Sequence, residues 1–594
     1  MKCPTLQVLL HADGIAACKA VELTAGDVRI AGIVRPGSPH YLLLYLDLDG
    51  AAAQRFDILL HYDGSTRRIP YVLRERTPRE RHTFDAADTV YLLVPDRFAN
   101  GNPANDVVEG MLETTCGPGP DERHGGDIAG IVAHLDYLAD LGVTALWPTP
   151  LLENNMPACS YHGYAITDYY AIDPRLGTNE EYRHLVDEAH ARGIKVLQDM
   201  VFNHCGNHNF LFRERPANDW FSFNGRYVQT SHNISAMSDP HAARVERTSA
   251  QDGWFVETMP DFNLRNPHVA DYLVQSSIWW IEYAGIDGIR QDTYPYADPQ
   301  TMAQWCARVD AEYPGFNIVG ETWLNNNVGV SYWQKGSPLA AGFNSGLPTV
   351  MDFPLMERMA PAVDELTDEW GSGLNRIYDY LSQDRVYADP MHLLTFLDNH
   401  DTSRFARNAA EAARPQRYRQ ALAMLLTLRG IPQLYYGDEI GMYADKAEGD
   451  GMLRQNFPGG FPGGEADAFT TQGRTEAQSR LFGFARRLLR WRRANADLAR
   501  AAFKHFSVKD GIYVYARQAA GHTATVLLNG TDSEVQVDLE RYREVLPATE
   551  ASDVVTGRRV KLGRTLPIGA RDVMILDFNV QESYNISDSK EKGS

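Results

Sequence analysis

The sequence has no apolar run long enough to cross a bilayer, which takes roughly 18 residues. The best candidate, residues 421–428, is much shorter and predicts a buried helix. Near the N-terminus only residues 6–10 are apolar, which is shorter than the core of a secretory signal, about 7–15 residues. We therefore expect no membrane partner, and either a cytoplasmic protein or one whose signal has been removed.

Basic residues are also in the minority. The chain has 57 Lys and Arg against 77 Asp and Glu, which gives a net charge of −20. Binding to nucleic acid requires a basic face, so we expect no nucleic-acid partner. The same charge disfavours docking on anionic lipid. A neutral ligand such as a sugar is compatible with an acidic surface.

Cysteine is scarce, with six residues scattered over a chain of 594. None of them forms a CxxC or CxxH pair, so the spacing excludes the usual zinc motifs. We interpret them as free thiols, which mildly favours a reducing compartment.

What the sequence does contain is a long alternation of short apolar strands with amphipathic helices. Eight strands are predicted, at residues 90–94, 145–147, 194–197, 286–289, 318–319, 349–353, 393–396 and 433–436. Helical patterns separate or follow them, at residues 128–141, 180–192, 269–283, 300–312, 417–429 and 476–494. Eight such alternations predict an α/β fold of the (β/α)₈ TIM-barrel class over residues 86–496.

The flanking regions have a different pattern. Residues 1–85 and 497–580 show strand patterns and turn signals without helical periodicity, which predicts a β-sandwich on each side of the barrel. After the third strand, residues 205–266 are too long for a simple loop and predict an inserted subdomain that forms a wall of the cleft. The polar tail, residues 581–594, is predicted to be disordered.

Four acidic strings stand at the ends of predicted strands three, four, five and seven. They are residues 199–204 (DMVFNH), 288–292 (GIRQD), 320–323 (GETW) and 396–401 (FLDNHD). A single acidic residue after a strand more often caps a helix. Four in this order are poorly explained by chance, and in a barrel the carboxyl ends of the strands converge on one face. We therefore expect these side chains to share one pocket.

Two of these carboxyl groups suit the cleavage of an acetal, which needs a nucleophile and a proton donor. Arg290 lies two residues before Asp292 on the same strand face, so we expect it to lower the pKa of Asp292 and favour a nucleophile. Glu321 has the longer reach, and we expect its apolar neighbour Trp323 to keep its pKa raised for a general acid and base.

The remaining polar side chains of the strings are Asp199, His204, His400 and Asp401. We expect them to hold sugar hydroxyls and the developing positive charge. They also resemble metal ligands, which leaves metal catalysis as an alternative, but their spacing is not HExxH.

With these strings the sequence resembles the α-amylase family of glycoside hydrolases, family 13, over residues 89–495. Residues 142–148 and 430–437 resemble that family's second and eighth strands, and residues 160–164 (SYHGY) resemble a loop that stacks on the sugar. The string 259–263 (MPDFN) is similar to one in the neopullulanase and cyclomaltodextrinase group. Residues 205–266 and 291–297 resemble the neopullulanases of Bacteroides-type starch-utilisation systems.

The resemblance implies a retaining hydrolase of α-1,4-glucosidic bonds in starch, pullulan or cyclodextrin-like oligosaccharides. Asp292 would be the nucleophile, Glu321 the acid and base, and Asp401 the stabiliser of the transition state. The sugar contacts would come from His162, Tyr164, Asp199, His204, Arg290, Trp323 and His400. The resemblance further implies a periplasmic location and an N-terminal sandwich that assists homodimer formation.

The resemblance has one departure, because Tyr296 stands where many relatives have a histidine. Two alternatives within enzymes stay open, a transglycosylase and an exo-acting α-glucosidase on the same barrel. A catalytically inactive glucan-binding subunit is the alternative from another class. It is disfavoured because all three carboxylates are present.

A second, oxygen-rich string resembles the calcium loop of this group. Its candidate ligands are Asn100, Asn102, Asn105, Asp106, Gly125 and Asp127. Calcium takes six to eight oxygen ligands, which this string can offer, although a turn loop without metal has the same composition. Asn102 stands where relatives often have Asp. We predict a bound Ca²⁺ that is structural rather than catalytic.

Overall fold

The first domain of the computed structural model, which describes residues 3–76, 82–464 and 466–579, consists of antiparallel strands. They are β1 (Thr5–His11), β2 (Ala20–Leu23), β3 (Arg29–Val34), β4 (Tyr41–Asp47), β5 (Gln54–Tyr62) and β6 (Ser65–Leu73). Two three-stranded sheets, β1-β4-β3 and β2-β5-β6, enclose one apolar core that includes Leu44 and Ile58. The predicted N-terminal antiparallel domain is confirmed.

The second part of the chain contains the barrel. Its strands are β7 (Val90–Leu93), β8 (Ala145–Pro148), β9 (Leu152–Glu153), β10 (Asp168–Ile172), β11 (Lys195–Met200), β12 (Gly288–Gln291), β13 (Asn317–Gly320), β14 (Thr349–Met351), β15 (Leu393–Phe396) and β16 (Ile431–Tyr435). All but β9 and β10, which pair with each other, close into a barrel in the order β7-β8-β11-β12-β13-β14-β15-β16. Its strand pairs are parallel, so the predicted eight-stranded TIM barrel is confirmed.

Helices lie between the barrel strands and in the connections. They are α1 (Pro95–Phe98), α2 (Ile128–Ala133), α3 (Leu135–Leu141), α4 (Asn179–Ala191), α5 (Phe210–Arg213), α6 (Ser235–Ser238), α7 (Arg244–Gln251), α8 (Pro267–Tyr283), α9 (Pro299–Glu312), α10 (Asn327–Tyr332), α11 (Phe353–Asp364), α12 (Asn375–Leu381), α13 (Ala409–Ala412), α14 (Pro415–Thr427), α15 (Asp450–Leu453), α16 (Glu476–Ala494) and α17 (Ala496–Arg500). Within the described residues no helix combines the length and the apolar character that crossing a bilayer would require.

Two sequence predictions were wrong in detail. The predicted helix 128–141 is two helices, because His134 leaves the helical conformation (φ −113°) and its ring packs against Phe469. The predicted strand 349–353 ends at Met351, because the side chain of Asp352 accepts a hydrogen bond from the Leu355 amide and starts α11.

The insertion after β11 contains the short helices α5, α6 and α7. Aromatic rings form its interior, with Phe221 stacked on Phe262 at 5.0 Å and Phe212 edge-on to Trp254 at 5.6 Å. It also meets the N-terminal domain, where the Ser38 amide donates to a backbone carbonyl of the insertion, that of residue 216. The insertion is therefore a packed unit beside the barrel rather than an extended loop.

The C-terminal domain is again antiparallel. Its strands are β17 (Ala502–Lys509), β18 (Ile512–Ala519), β19 (His522–Asn529), β20 (Val535–Asp538), β21 (Glu550–Asp553), β22 (Arg558–Lys561), β23 (Thr565–Ile568) and β24 (Val573–Asn579). A six-stranded sheet, β17-β18-β19-β24-β21-β22, faces the pair β20-β23 across a separate core. This confirms the predicted C-terminal antiparallel domain. The predicted disordered tail, 581–594, lies outside the described residues.

Candidate active site

The four acidic strings meet at the carboxyl ends of the barrel strands. Asp199 is the second-last residue of β11. Asp292 and Glu321 are the first residues after β12 and β13. Asp401 lies five residues beyond the end of β15. All but Asp401 are at most 6% exposed. The barrel thus brings together residues that are up to two hundred positions apart in sequence.

Arg290 is at the centre of the cluster. Its Nη1 lies 2.7 Å from Asp292 Oδ1 and 3.0 Å from Asp199 Oδ1, and its Nη2 lies 2.8 Å from Glu321 Oε2. The guanidinium is completely buried. One cation therefore joins three carboxyl groups, of which the sequence predicted only the contact with Asp292.

Arg290 lowers the pKa of Asp292, as its spacing predicted, but the net pKa is raised. Burial raises the pKa of Asp292 to about 6 and outweighs the opposite effect of Arg290. Burial also raises the pKa of Glu321 to about 8, again against Arg290, and the charges of Asp292 and Asp401 add to the rise. At neutral pH Asp292 is therefore ionised while Glu321 keeps its proton. Two carboxyl groups with pKa values separated in this way suit a nucleophile, here Asp292, and an acid, here Glu321.

The contribution of Trp323 to the raised pKa of Glu321 stays a prediction. The ring of Trp323 stacks on Phe353, with centroids 4.9 Å apart and planes 9° apart, and Trp323 is 42% exposed. The largest cause of that raised pKa is burial, to which the charges of Asp292 and Asp401 add. An aromatic ring with a free face near the strand ends remains a candidate sugar contact.

Tyr164 and His400 form one side of the pocket. Their rings are stacked, with planes 7° apart, and the Tyr164 hydroxyl lies 2.6 Å from His400 Nε2. The same hydroxyl donates to Asp199 Oδ2 at 3.0 Å, and Trp147 Nε1 donates to that oxygen at 2.9 Å. Burial lowers the pKa of His400 to about 3, so the ring is neutral at neutral pH.

Asp401 is held by a residue that the sequence analysis missed. Arg454 Nη2 lies 2.8 Å from Asp401 Oδ1, and Arg454 Nε donates to the His400 carbonyl. His400 Nε2 lies 3.1 Å from the other oxygen of Asp401. Burial would raise the pKa of Asp401, but His400 and Arg454 outweigh it and lower the pKa to about 2. Because His400 is neutral at neutral pH, Arg454 supplies the lasting positive charge.

His162 and His204 form no ion pair with Asp292, Glu321 or Asp401 in the described part of the chain. His162 Nδ1 accepts from the Tyr164 amide, and its ring is parallel to that of Tyr164 within 19°. His204 is 2% exposed, and its Nε2 has no hydrogen-bond partner among the described residues. Burial lowers the pKa of His162 to about 3 and that of His204 to about 4, so both rings are neutral.

The insertion contributes aromatic rings beside His204. The ring centroid of Phe255 lies 5.3 Å from that of His204 and 4.5 Å from that of Tyr296. His232 Nδ1 lies 3.4 Å from the Tyr296 hydroxyl. The insertion thus contacts His204 and Tyr296, which lies four residues after Asp292, while its role as a wall of the cleft stays a prediction.

Thr293 is a second missed residue. Its amide donates to Glu321 Oε2 at 2.8 Å, and its hydroxyl donates to Asp292 Oδ2 at 3.1 Å. Its φ of 44° is in the left-handed region, which is strained for a β-branched residue. Adjacency to Asp292 is a signal that could have found Thr293. Trp147, which was also missed, lies within β8, a strand that the sequence predicted. Arg454 comes from an irregular stretch that offered no signal.

The predicted calcium ligands form a separate cluster near β7. Asn100 Nδ2 donates to Asp106 Oδ1 at 2.9 Å, while the Oδ1 atoms of Asn100 and Asn105 are buried and accept no hydrogen bond from the described residues. Burial raises the pKa of Asp106, and the charge of Asp127 adds to the rise. Unsatisfied buried oxygens beside a carboxylate fit a hard cation.

Two of the six predicted ligands have other partners. Asp127 caps α2, where its carboxylate accepts from the amides of Gly130 and Gly101 and, at 2.7 Å, of Asn102. Asn102 Oδ1 accepts from the Ala104 amide. Gly125, with φ of 89°, has a Cβ position only 2.5 Å from Asp106 Oδ1, so glycine is needed for the loop to close. No cluster of three or more His, Cys, Asp or Glu side chains suited to a metal occurs in the described part of the chain.

Three family models together match most of the chain. A family model for the α-amylase catalytic domain matches residues 92–479. Models described as the N-terminal domain of cyclomaltodextrinase and the C-terminal domain of cyclo-malto-dextrinase match residues 1–77 and 503–577.

Individual relatives agree with these models. The chain is 30% identical over 474 residues to a cyclomaltodextrinase of Thermoanaerobacter pseudethanolicus, covering 78% of this chain and 74% of the relative. It is 30% identical over 465 residues to neopullulanase 2 of Thermoactinomyces vulgaris, covering 76% and 70%. Its fold matches a solved α-amylase of Anoxybacillus with a TM-score of 0.68 and 27% identity, covering 84% of this chain and 99% of that one. The chain therefore belongs to the α-amylase family of glycoside hydrolases, family 13, and within it to the cyclomaltodextrinase and neopullulanase group.

Proposed function

We propose that this protein hydrolyses α-1,4-glucosidic bonds of starch-derived glucans by double displacement, with retention of the anomeric configuration. The observation that carries the proposal is the buried guanidinium of Arg290, which contacts both Asp292 and Glu321. A pair of carboxyl groups with separated pKa values, held on one cation, meets the requirements of a retaining glycosidase.

In the first step Asp292 attacks the anomeric carbon while Glu321 gives its proton to the leaving oxygen. The C–O bond of the glycosidic link breaks, and an ester to Asp292 forms. Arg290 and the Thr293 hydroxyl keep Asp292 oriented and ionised. Asp401, which is ionised at neutral pH, and the neutral His400 face the developing positive charge and the ring hydroxyls.

In the second step Glu321, now ionised, takes a proton from water, and the water oxygen attacks the same carbon. The ester breaks and Asp292 is released as a carboxylate. Burial of the cluster raises the pKa of Glu321 to about 8, so it regains its proton readily at neutral pH for the next cycle. A second sugar in place of water would give transglycosylation, so the acceptor decides between the two reactions.

We further propose that the substrate range is that of the neopullulanases of Bacteroides-type starch-utilisation systems. The support is the resemblance of residues 205–266 and 291–297 and the aromatic contacts of Phe255 with Tyr296. The products from pullulan, γ-cyclodextrin and maltoheptaose test this. Panose from pullulan and maltose from the cyclodextrin are expected, whereas glucose alone from chain ends would favour the exo-acting α-glucosidase.

Proton NMR of the first-formed product tests the central proposal. The α-anomer should appear first and then mutarotate, because two inversions at one carbon retain its configuration. The two carboxyl groups should lie about 5–5.5 Å apart in a substrate complex. Initial release of the β-anomer would overturn the assignment of Asp292 as nucleophile, and no turnover of any glucan would favour the binding-subunit alternative.

Two further proposals accompany the function. The first is a structural Ca²⁺ held at Asn100, Asn105 and Asp106, with Asn102, Gly125 and Asp127 completing the loop, supported by the two unsatisfied amide oxygens. The second is a homodimer to which the N-terminal domain contributes, supported only by membership of the group. Equilibrium sedimentation at several concentrations tests the second.

A further inference from the structure

Asp398 belongs to the string 396–401 but has no part in the proposed chemistry. Its side chain is completely buried and lies within hydrogen-bond reach of the carboxyl group of Asp438, which follows β16 and is 1% exposed. The Oδ1 atom of each residue receives no N–H or O–H donor from the described residues. Two facing carboxyl oxygens without a donor need either a proton between them or a cation.

The charge of Arg404 lowers the pKa of both aspartates, against burial, but in the described hydrogen bonds Arg404 donates to neither carboxyl group, and its buried Nη2 has no partner. Arg404 donates its Nη1 to the Tyr436 carbonyl at 2.8 Å and its Nε to the Leu453 carbonyl at 3.1 Å. The described ion pairs include none between Arg404 and either aspartate. Arg417, the next nearest cation, lies 2.8 Å from Asp364.

The other neighbouring charge is negative. Glu439 is adjacent to Asp438 in the chain, is completely buried, and accepts from the hydroxyls of Tyr91 and Tyr137. The Oδ2 atoms of the pair accept only backbone amides, of Phe405 and Tyr435. Burial, and then the charge of Asp398, raises the pKa of Asp438 well above its ordinary value, and burial raises the pKa of Asp398 as well.

We propose that Asp398 and Asp438 share one proton, and that this hydrogen-bonded pair positions the turn that presents His400 and Asp401. The reason is connectivity. Asp398 lies on the loop after β15, and Asp438 lies on the loop after β16, so the shared proton fastens one loop to the other. The inference rests on the proposed role of Asp401 in the reaction.

The turn is also held by other hydrogen bonds, from its own residues and from Gln433 and Arg454. Asn399 Oδ1 accepts from the amides of Asp401 and Thr402 at 2.8 and 3.1 Å, and Gln433 Nε2 donates to the Asp398 carbonyl. Loss of the shared proton would leave two like charges in contact in a dry interior. Separation of the two loops would relieve that repulsion and would displace Asp401 from Arg454. Asp398 and Asp438 are thus positioning residues and not catalytic ones.

Infrared spectroscopy of the full chain tests the shared proton directly. The Glu321→Gln variant is the background, since it removes the Glu321 carboxyl signal. Asp398→Asn and Asp438→Asn are each introduced separately into this background. At mildly alkaline pH, each substitution should abolish the carbonyl stretch of one protonated carboxyl group. Each amide donates to the remaining carboxylate, which then needs no proton. Asp187→Asn, on the exposed face of α4, is the control and should change nothing.

The infrared outcomes decide the proposal. If neither variant loses a protonated carboxyl signal, the pair is fully ionised in the parent and the proposal is overturned. Retention of the signal in one variant and loss in the other would show a proton fixed on one residue, which would also overturn sharing. The measurement involves no turnover, so it stands even if the stereochemical test contradicts the proposed function.

Kinetics of Asp438 variants test the positioning role. Asp438→Asn keeps a donor toward Asp398 and should retain kcat and KM near the parent values. Asp438→Ala removes the donor and should lower kcat by about 10–100-fold, the effect expected of a small displacement of a reacting group. Asp398→Asn serves as the second conservative variant if Asp438→Asn does not fold. Equal kcat values for the alanine and asparagine variants would contradict the positioning role.

Discussion

At the scale of single residues, one buried guanidinium contacts three carboxyl groups. Arg290 contacts Asp199, Asp292 and Glu321, and such a group cannot be removed without leaving uncompensated charge in the interior. The balance of burial against this cation sets each pKa. Asp292 ionises before Glu321 does, so a single environment supplies both the nucleophile and the acid.

The pH dependence of kcat/KM follows from these two residues. The nucleophile must be ionised, so activity should fall as the pH drops through about 6, the raised pKa of Asp292. The acid must be protonated, so activity should fall as the pH rises through about 8, the raised pKa of Glu321. Initial rates on maltoheptaose across this range should give a bell-shaped profile. A flat alkaline limb would contradict the role of Glu321.

Glu321→Gln tests the same residue by chemistry. The amide keeps the shape but donates no acidic proton, so the rate on a natural glucan should fall by about 10²–10⁴-fold. An α-glucosyl fluoride, whose leaving group needs little protonation, should lose much less. Glu357→Gln, a partly exposed acid on α11, is the control and should behave like the parent. Equal losses on the two substrates would assign Glu321 another role.

At the scale of elements, loops rather than strands complete the site. The strand ends supply Asp199, Arg290, Asp292 and Glu321, but Asp401 depends on Arg454, which follows α15 in an irregular connection. Arg454→Lys keeps the charge but loses the forked contact with Asp401 and the His400 carbonyl. We expect kcat to fall by about tenfold or more. Steady-state kinetics check this, and Arg407→Lys, at an exposed position, should have no effect.

The calcium loop is a second element with its own prediction. Binding of Ca²⁺ near β7 should stabilise the folded state by mass action without entering the reaction. Chelation should therefore lower the melting temperature while activity at low temperature is kept, and Asp106→Asn should weaken Ca²⁺ binding measured by calorimetry. Abrupt loss of activity at unchanged stability would contradict a structural role. Equal calcium affinity in the variant would contradict the site.

At the scale of the whole molecule, buried polar contacts join the domains. Gln420 on α14 is 1% exposed, and its Nε2 donates to the carbonyls of Asn529 and Asp572 in the C-terminal domain. Gln420→Leu should cost about 1–3 kcal/mol, because it removes two hydrogen bonds between the barrel and the C-terminal domain, although the Asp572 carbonyl still accepts from the Asn529 amide. Calorimetric unfolding measures the loss. Gln416→Leu, exposed on the same helix, should be nearly neutral, and equal effects would show that the contact is unimportant.

The sequence by itself determined the barrel and the identity of its central acids. Buried parallel strands are continuous apolar runs, and the residues after them must converge on one face. For that reason the strings with Asp292, Glu321 and Asp401 were sufficient to predict a shared pocket, and their spacing was sufficient to place Arg290 beside Asp292. Strand ends were less certain, because the cap at Asp352 is a local hydrogen bond that competes with strand pairing.

Only the tertiary structure decided what burial and distant loops contribute. The pKa of Asp292 is raised rather than lowered, because desolvation depends on every neighbour in space and not on the nearest cation in sequence. Arg454 and Asp438 reach the 396–401 turn from connections more than thirty residues away, so no local pattern connects them with it. The sequence supplied the reacting groups, and the packing of the loops set their charge and orientation.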